Sequence, residues 1–221
     1  MEARHLDELK SRLVEYGRFV EDMIGKSVNA FLEASPALIR EIIDVDEARA
    51  NSLEMEIEER CTSLIAQYEP RGRELRTVLM VLGITTDLER MADHAVNIAE
   101  TADAARGDAA VAMQTLTRMA DATTAMVDDG IRSFTDENPR LAAAVCTRDD
   151  TVDELAAAIL AETTTAMSAA AAAVNKNLAI LKIAGNLERI ADLSTNICED
   201  VIYMAEGRVI KHHNAEGQQS P

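Results

Sequence analysis

The sequence predicts an all-α protein made of two tandem three-helix bundles related by internal duplication, and three observations lead there. The first is a repeat. The segment DLERMADHAVNIAE at residues 87–100 returns 99 residues later as NLERIADLSTNICE at residues 186–199, with 8 of 14 positions identical and no gap. A period of about 100 residues is far too long for a solenoid unit and indicates a duplicated domain. The second is composition: 4 Pro, 9 Gly and 3% aromatic residues, with Ala abundant, favour helix throughout. The third is punctuation. Ser35-Pro36 and Asn138-Pro139 each place an N-cap residue before a Pro at the first helical position, and they stand 103 residues apart.

The elements follow in order. From Glu2 to Ala34, Leu6, Leu9, Leu13, Phe19, Val20, Met23, Ile24, Val28 and Phe31 recur at helical spacing. A second helix starts at Ser35-Pro36 and ends near Tyr68, with Leu38, Ile42, Ala50, Leu53, Ile57 and Leu64 on one face. Glu69-Pro70-Arg71-Gly72 then makes a tight turn. The third helix runs from about Glu74 to Arg106 and is ended by Gly107. The second half repeats the plan: a helix over residues 108–136, a restart at Asn138-Pro139, and a last helix carrying the second copy of the repeat. No breaker separates the fifth and sixth helices. Their turn is placed near residue 171, within the alanine run at residues 169–173, only because it lies one repeat length beyond Pro70. Domain boundaries follow at 1–106 and 107–208. Residues 209–221 form a polar tail read as disordered, which includes the pair His212 and His213. Helices of about 30 residues joined by short turns give an up-down-up bundle some 45 Å long.

Bulk properties exclude several classes of function. Net charge is −17 with no cluster of Lys or Arg, so direct nucleic-acid binding is disfavoured and an anionic membrane would repel the chain. Cys61, Cys146 and Cys198 are scattered in apolar helical patterns, without CxxC or zinc spacing, and read as small core residues of a reducing compartment. The N-terminus has no signal-peptide core and charges break every long apolar window, which gives a cytoplasmic expectation.

Chemistry concentrates in the repeat. Glu89, Asp93 and Glu100, and again Glu188, Asp192 and Glu199, fall within roughly 40° of one another on a helix, with Asn97 and Asn196 at the edge. The line of each stripe runs back through Val78 and Leu82, or Leu181, and Leu88, Ala92, Leu187 and Ala191 flank it. Carboxylates at i and i+4 repel, and burying them is costly unless they are protonated, ion-paired or metal-bound.

Turn arithmetic supplies partners. Glu89 and Asp93 are centred about 21 residues beyond the turn at residues 69–70, and Glu47 with Asn51 lies as far before it. Likewise Glu188 and Asp192 face Asp149 and Asp153 across the second turn. Glu21, Asp22, Asp128 and Asp129 could approach the same levels from the first and fourth helices. Such a site offers hard oxygen donors for Mg²⁺, Mn²⁺, Fe or Ca²⁺; the competing reading is an acidic ridge screened by water. The first set is the weaker, since Asn51 is neutral where the second has Asp153. His94, whose counterpart is Leu193, reads as a surface residue. Arg90 and Arg189 point away from the stripe, toward a local ion pair or a partner. Glu2 and His5 match half of a di-iron motif at a frayed terminus. No phosphate loop or nucleophile–base arrangement is evident, so no catalytic residue is expected.

DLERMADHAVNIAE and NLERIADLSTNICEDVIYMAEG, with the upstream LRTVLMVLGITTDLERMAD, closely resemble the paired signature of the PhoU family, accessory regulators of the phosphate-specific transport system. The resemblance spans roughly residues 5–210. It implies two three-helix bundles related by a pseudo-twofold. It also implies E(D)xxxD motifs that in some members hold multinuclear iron or zinc clusters, here Glu89/Asp93, Glu188/Asp192 and Asp149/Asp153, with Glu47/Asn51 as a degenerate copy. The cofactor expected is therefore a multinuclear divalent or iron cluster (Fe, Zn, Mn or Mg). The implied role is a non-enzymatic negative regulator of phosphate uptake and the phosphate-starvation response. Such a protein links a phosphate ABC transporter ATPase subunit to a sensor histidine kinase, forms a homodimer, and reaches the membrane only through its partners. Two other readings stand beside it. One is a di-metal carboxylate oxidase, against which ferritin-like Glu-x-x-His motifs are absent from both stripes. The other is a metal-free helical scaffold.

Overall fold

A computed structural model of the chain describes residues 3–104, 112–170 and 174–207. All the regular elements among them are helical: α1 (Ala3–Leu32), α2 (Pro36–Glu41), a π turn (Ile42–Asp46), α3 (Glu47–Tyr68), α4 (Arg73–Ala104), α5 (Met113–Thr135), α6 (Pro139–Cys146), α7 (Asp149–Ala169) and α8 (Val174–Glu206). The first bundle is α1, the α2–π–α3 rod and α4. The second is α5, the α6–α7 rod and α8.

Both helices restart where the sequence predicts, at Pro36 and Pro139, but only one of the two caps is made by a side chain. Asn138 adopts an extended conformation and its side chain accepts hydrogen bonds from the Arg140 and Leu141 backbone amides at 3.1 and 3.2 Å. Ser35 is also extended, but its side chain makes no capping bond. The residue before each cap, Ala34 and Glu137, turns the chain with positive φ. Glu69, at φ 44°, ends α3 in the left-handed conformation and leads into Pro70 and the positive-φ Gly72. The turns predicted near 107 and 171 and the tail from 209 lie outside the described residues, although α7 ends at Ala169 and α8 begins at Val174.

Two departures from the predicted helices occur at the same level of each bundle. The second helix widens into a π turn at Ile42–Asp46, and the fifth breaks at Thr147 and Arg148 between α6 and α7. The π turn carries Asp46 inward, where it is almost fully buried and pairs with Lys26 of α1 at 3.2 Å. In the second bundle, Arg148 reaches Asp129 of α5 at 2.7 Å. Asp129 lies 103 residues after Lys26, and Arg148 lies 102 after Asp46. The same joint is thus pinned in both halves by an ion pair of inverted polarity.

The largest contact between elements joins α4 to α8, the two helices that carry the repeat, and α1 packs on α5 beside them. Leu88, Met91, Ala95 and Ile98 of α4, and Leu187, Ile190, Ala191 and Ile197 of α8, are fully buried, so the cores of the two bundles merge into one. The rods α3 and α7 are left on the flanks, each against its own repeat helix.

Candidate functional site

The acidic stripes lie along the rims where α3 meets α4 and α7 meets α8. The residues flanking each stripe are core: Leu88, Ala92, Leu187 and Ala191 are all buried, as is Val78 on the line of the first stripe. The stripe residues themselves stand at the edge of that face. Glu89 is half-buried, whereas Asp93, Glu188 and Asp192 are exposed. The cost of full burial is therefore avoided: the rim lets ionised groups keep their water while still facing one another.

In the first bundle, burial raises the Glu89 carboxyl above its ordinary range, and Asp93 and Glu54 raise it further, against Arg90. Glu54 is raised in turn by burial, by Glu58 and by Asp93. The carboxylate that α3 turns toward the stripe is thus Glu54, about one turn along from Asn51. Glu47 sits half-buried at the start of α3, and Asn51 is exposed. Side chains lean toward the N-terminus of their own helix. Across an antiparallel pair, a residue on α3 therefore meets residues on α4 that lie farther from the turn, which simple counting overlooks. Glu47, Asn51, Glu54 and Glu58 share one helical stripe, and that spacing could have pointed to Glu54.

Beneath this group lies Tyr16 of α1. It is fully buried, its hydroxyl finds no hydrogen-bond partner among the described residues, and its pKa is raised by burial and then by Glu54, Glu89 and Asp93. Three helices therefore bring one phenol and three carboxylates to a single level.

The second bundle holds the matching set. Burial raises Glu188, and Asp153 and Asp192 raise it further, with Arg189 opposing. Asp153 thus faces the stripe as the turn arithmetic predicts. Asp149, one turn earlier, lies nearer Cys146, on which its charge acts. Each bundle therefore contributes three mutually repelling carboxylates, Glu54, Glu89 and Asp93 in one and Asp153, Glu188 and Asp192 in the other. Among the described residues, no three His, Cys, Asp or Glu side chains converge closely enough to hold one metal ion. The donor chemistry fits a hard cation, while the side chains stand apart as like charges do.

The remaining sequence candidates have other roles. Glu21 is raised by burial and by Asp128, and the two line an open cleft of about 440 Å³ between α1 and α5, away from both stripes. Asp22 pairs with Lys26 and Asp129 with Arg132 and Arg148. Arg90 is exposed and pairs with Asp87 at 3.6 Å, the local ion pair anticipated. His94 is not a surface residue. It is half-buried, and its Nδ1 is 2.9 Å from Asn186 Oδ1 on α8.

Sequence reasoning missed a second acidic feature, inside the α4–α8 seam. Asp87 accepts a hydrogen bond from Asn196, and burial pushes its carboxyl up to about 6 against the opposing pull of Arg90. Asp200 is pushed up to about 7 by burial, then by Asp87 and Glu199. It fits because Gly83 leaves a niche: a Cβ there would stand 2.8 Å from Asp200 Oδ2. Asp87 belongs to the first repeat and Asp200 lies just past the second, so only packing of the two copies reveals the pair.

Comparison with known proteins agrees with this architecture. The PhoU domain model matches twice, over residues 13–102 and 116–201, one match per bundle. The phosphate-specific transport system accessory protein PhoU homologue of Aquifex aeolicus is 32% identical over 212 residues, covering 96% of each chain. The homologue of Clostridium acetobutylicum is 32% identical over 207 residues, covering 93% of this chain and 94% of its own. Among solved structures, PhoU from Pseudomonas aeruginosa superposes with a TM-score of 0.86 at 27% identity, covering 94% of this chain and 100% of that one. The phosphate transport system regulatory protein PhoU from Streptococcus pneumoniae gives 0.84 at 25% identity, with 93% and 97% covered. With both bundles matched and each repeat helix in its place, this chain belongs to the PhoU family.

Proposed function

We propose that this protein is an accessory regulator of phosphate uptake. In this role it represses the phosphate-starvation response when phosphate is plentiful, by linking a phosphate ABC transporter ATPase subunit to a sensor histidine kinase in the cytoplasm. The observation that carries the reading is the end-to-end match to relatives named as phosphate-specific transport accessory proteins, with both bundles and both signatures retained. The architecture is compatible with it. No helix among the described residues is long and apolar enough to cross a membrane. An adaptor works through surfaces, and this chain presents long helical faces on both flanks of one shared core. With a net charge of −17, docking favours basic or apolar partner surfaces, and the charged part of the association weakens with salt. Co-purification from phosphate-replete cells tests the adaptor role. The transporter ATPase subunit and a histidine kinase should be retained at low salt, and recovery of neither would contradict the reading.

A metal-binding reading accompanies it, favoured by the raised Glu54, Glu89 and Glu188 carboxyls and the unpartnered Tyr16 hydroxyl. Glu54, Glu89 and Asp93 in one bundle, and Asp153, Glu188 and Asp192 in the other, would hold a hard divalent or ferric ion, neutralising charges that otherwise repel. Asp149, Glu47 and Asn51 flank these sets and would contribute from the next turn. Metal analysis of protein purified without chelators tests it, a metal-free product with no uptake of added Fe²⁺ or Mn²⁺ counting against it. Homodimer formation belongs to the same proposal and is read from the molar mass in solution.

A further inference from the structure

Cys146 and Cys198, far apart in sequence, meet at the joint between α6, α7 and α8. Their thiols are hydrogen-bonded side chain to side chain, and Cys146 Sγ also lies 3.9 Å from the Thr195 carbonyl oxygen. Gly130 of α5 lies against Cys198, where even an added Cβ would stand in ordinary contact at 3.7 Å from its Sγ, and Ser133 hydrogen-bonds to the same thiol. The two cysteines differ in access: Cys198 is fully buried, whereas Cys146, at the end of α6, is only partly buried. Cys61, the third, is fully buried in α3 and belongs to the other bundle.

We propose that Cys146 and Cys198 form an oxidisable dithiol, with Cys146 as the residue that meets a hydroperoxide and Cys198 as the thiol that resolves it into a disulfide between α6 and α8. In the first step the Cys146 sulfur attacks the terminal oxygen of the hydroperoxide. The O–O bond breaks, an alcohol or water leaves carrying the thiol proton, and Cys146 becomes a sulfenic acid. In the second step the Cys198 sulfur attacks that sulfenic sulfur. The S–O bond breaks, water leaves, and the S–S bond forms. Two thiols lose two electrons in total, and one hydroperoxide gains them.

The division of roles follows from the environment as well as from access. The hydrogen bond from Cys198 lowers the Cys146 pKa, against burial and the charges of Glu199 and Asp149. Cys198 is raised by that same bond and by burial, with Ser133 and the Arg148 guanidinium opposing. Cys61 is pushed up to about 12 by burial and by Glu58, and has no thiol beside it. A disulfide would tie the joint that Arg148 and Asp129 already pin, fixing the start of α7, with Asp149 and Asp153, against α8.

The test treats the full chain with hydrogen peroxide, alkylates the remaining thiols, and maps the peptides without reduction. The expected result is an intramolecular link between Cys146 and Cys198, a mass loss of two hydrogens reversed by dithiothreitol, and Cys61 still alkylated. Without peroxide, Cys146 should alkylate at least about tenfold faster than Cys61. In Cys198→Ser, dimedone should trap a sulfenic acid at Cys146; in Cys146→Ser, peroxide should leave Cys198 a free thiol. Because the wild-type chain carries its own reference in Cys61, the result does not depend on the variants folding. Oxidation of Cys61 in step with Cys146, or Cys146 lost to intermolecular links or sulfinic acid while Cys198 remains alkylatable, would overturn the proposal.

Discussion

Asp87 and Asp200 give the protein a predictable response to pH. Both carboxyls titrate higher in the fold, at about 6 and about 7, than in an unfolded chain, so the folded state binds protons more tightly. A raised carboxyl adds no penalty while both states are protonated. Stability then falls as pH rises from the unfolded value near 4 through the folded one near 7. The melting temperature should therefore be higher at pH 5 than at pH 8. Asp200→Asn should raise the unfolding free energy at pH 8 by on the order of 1–2 kcal/mol after allowance for solvent screening, and change it little at pH 5. A thermal melt series at both pH values checks this, and an unchanged difference in the variant would remove the explanation. At the same scale, Glu54 alters the balance between the two acidic sets. The neutral Asn51 suggested a weaker first site, but Glu54 supplies the third carboxylate there, as Asp153 does in the second bundle. Glu54→Gln should lower metal uptake by the first bundle about as much as Asp153→Asn lowers it in the second, with Asn51→Ala nearly silent in calorimetric titration. Glu54 was within reach of the sequence, because its heptad spacing from Glu47 is visible. The Asp87 and Asp200 pair was not, because two helices far apart in the chain must first be docked.

The rods α2–π–α3 and α6–α7 show what a helical pattern can and cannot disclose. Their starts were legible because Pro36 and Pro139 cannot accept an interior position and Ser35 and Asn138 suit caps. Their interruptions were not, because neither Ile42–Asp46 nor Thr147 with Arg148 contains Gly or Pro. A tertiary ion pair marks each joint instead, Lys26 with Asp46 in one bundle and Asp129 with Arg148 in the other. The two pairs should differ in weight. Asp46 is only 6% exposed and Lys26 24%, so Lys26→Ala leaves a carboxylate buried without its cation and should cost about 2 kcal/mol. Arg148 is 40% exposed and can turn to water, so Asp129→Ala should cost no more than about 1 kcal/mol. Urea denaturation of both variants decides; equal losses would mean that the joint is held by packing rather than charge.

At the scale of the molecule, duplication explains both the architecture and its asymmetries. Two copies of one bundle dock through their repeat helices, so each signature is part core and part rim. Leu88 and Leu187 are buried in the shared core, while Arg90 and Arg189 project to solvent. The tandem fold was legible in the repeat itself, but the seam that joins the halves needed the structure. The two arginines are the exposed constants of the signatures, and their joint replacement by Ala should weaken partner retention while leaving the melting temperature within a few degrees. Phosphate regulation is the central claim, and one measurement bears on it most directly. Phosphate-starvation gene expression is compared in phosphate-replete medium between the parent strain, a strain lacking this chain, and the deletion carrying the wild-type copy. The account predicts high expression in the deletion and full repression on complementation. Repression unchanged in the deletion strain, with no second family member to substitute, would contradict it.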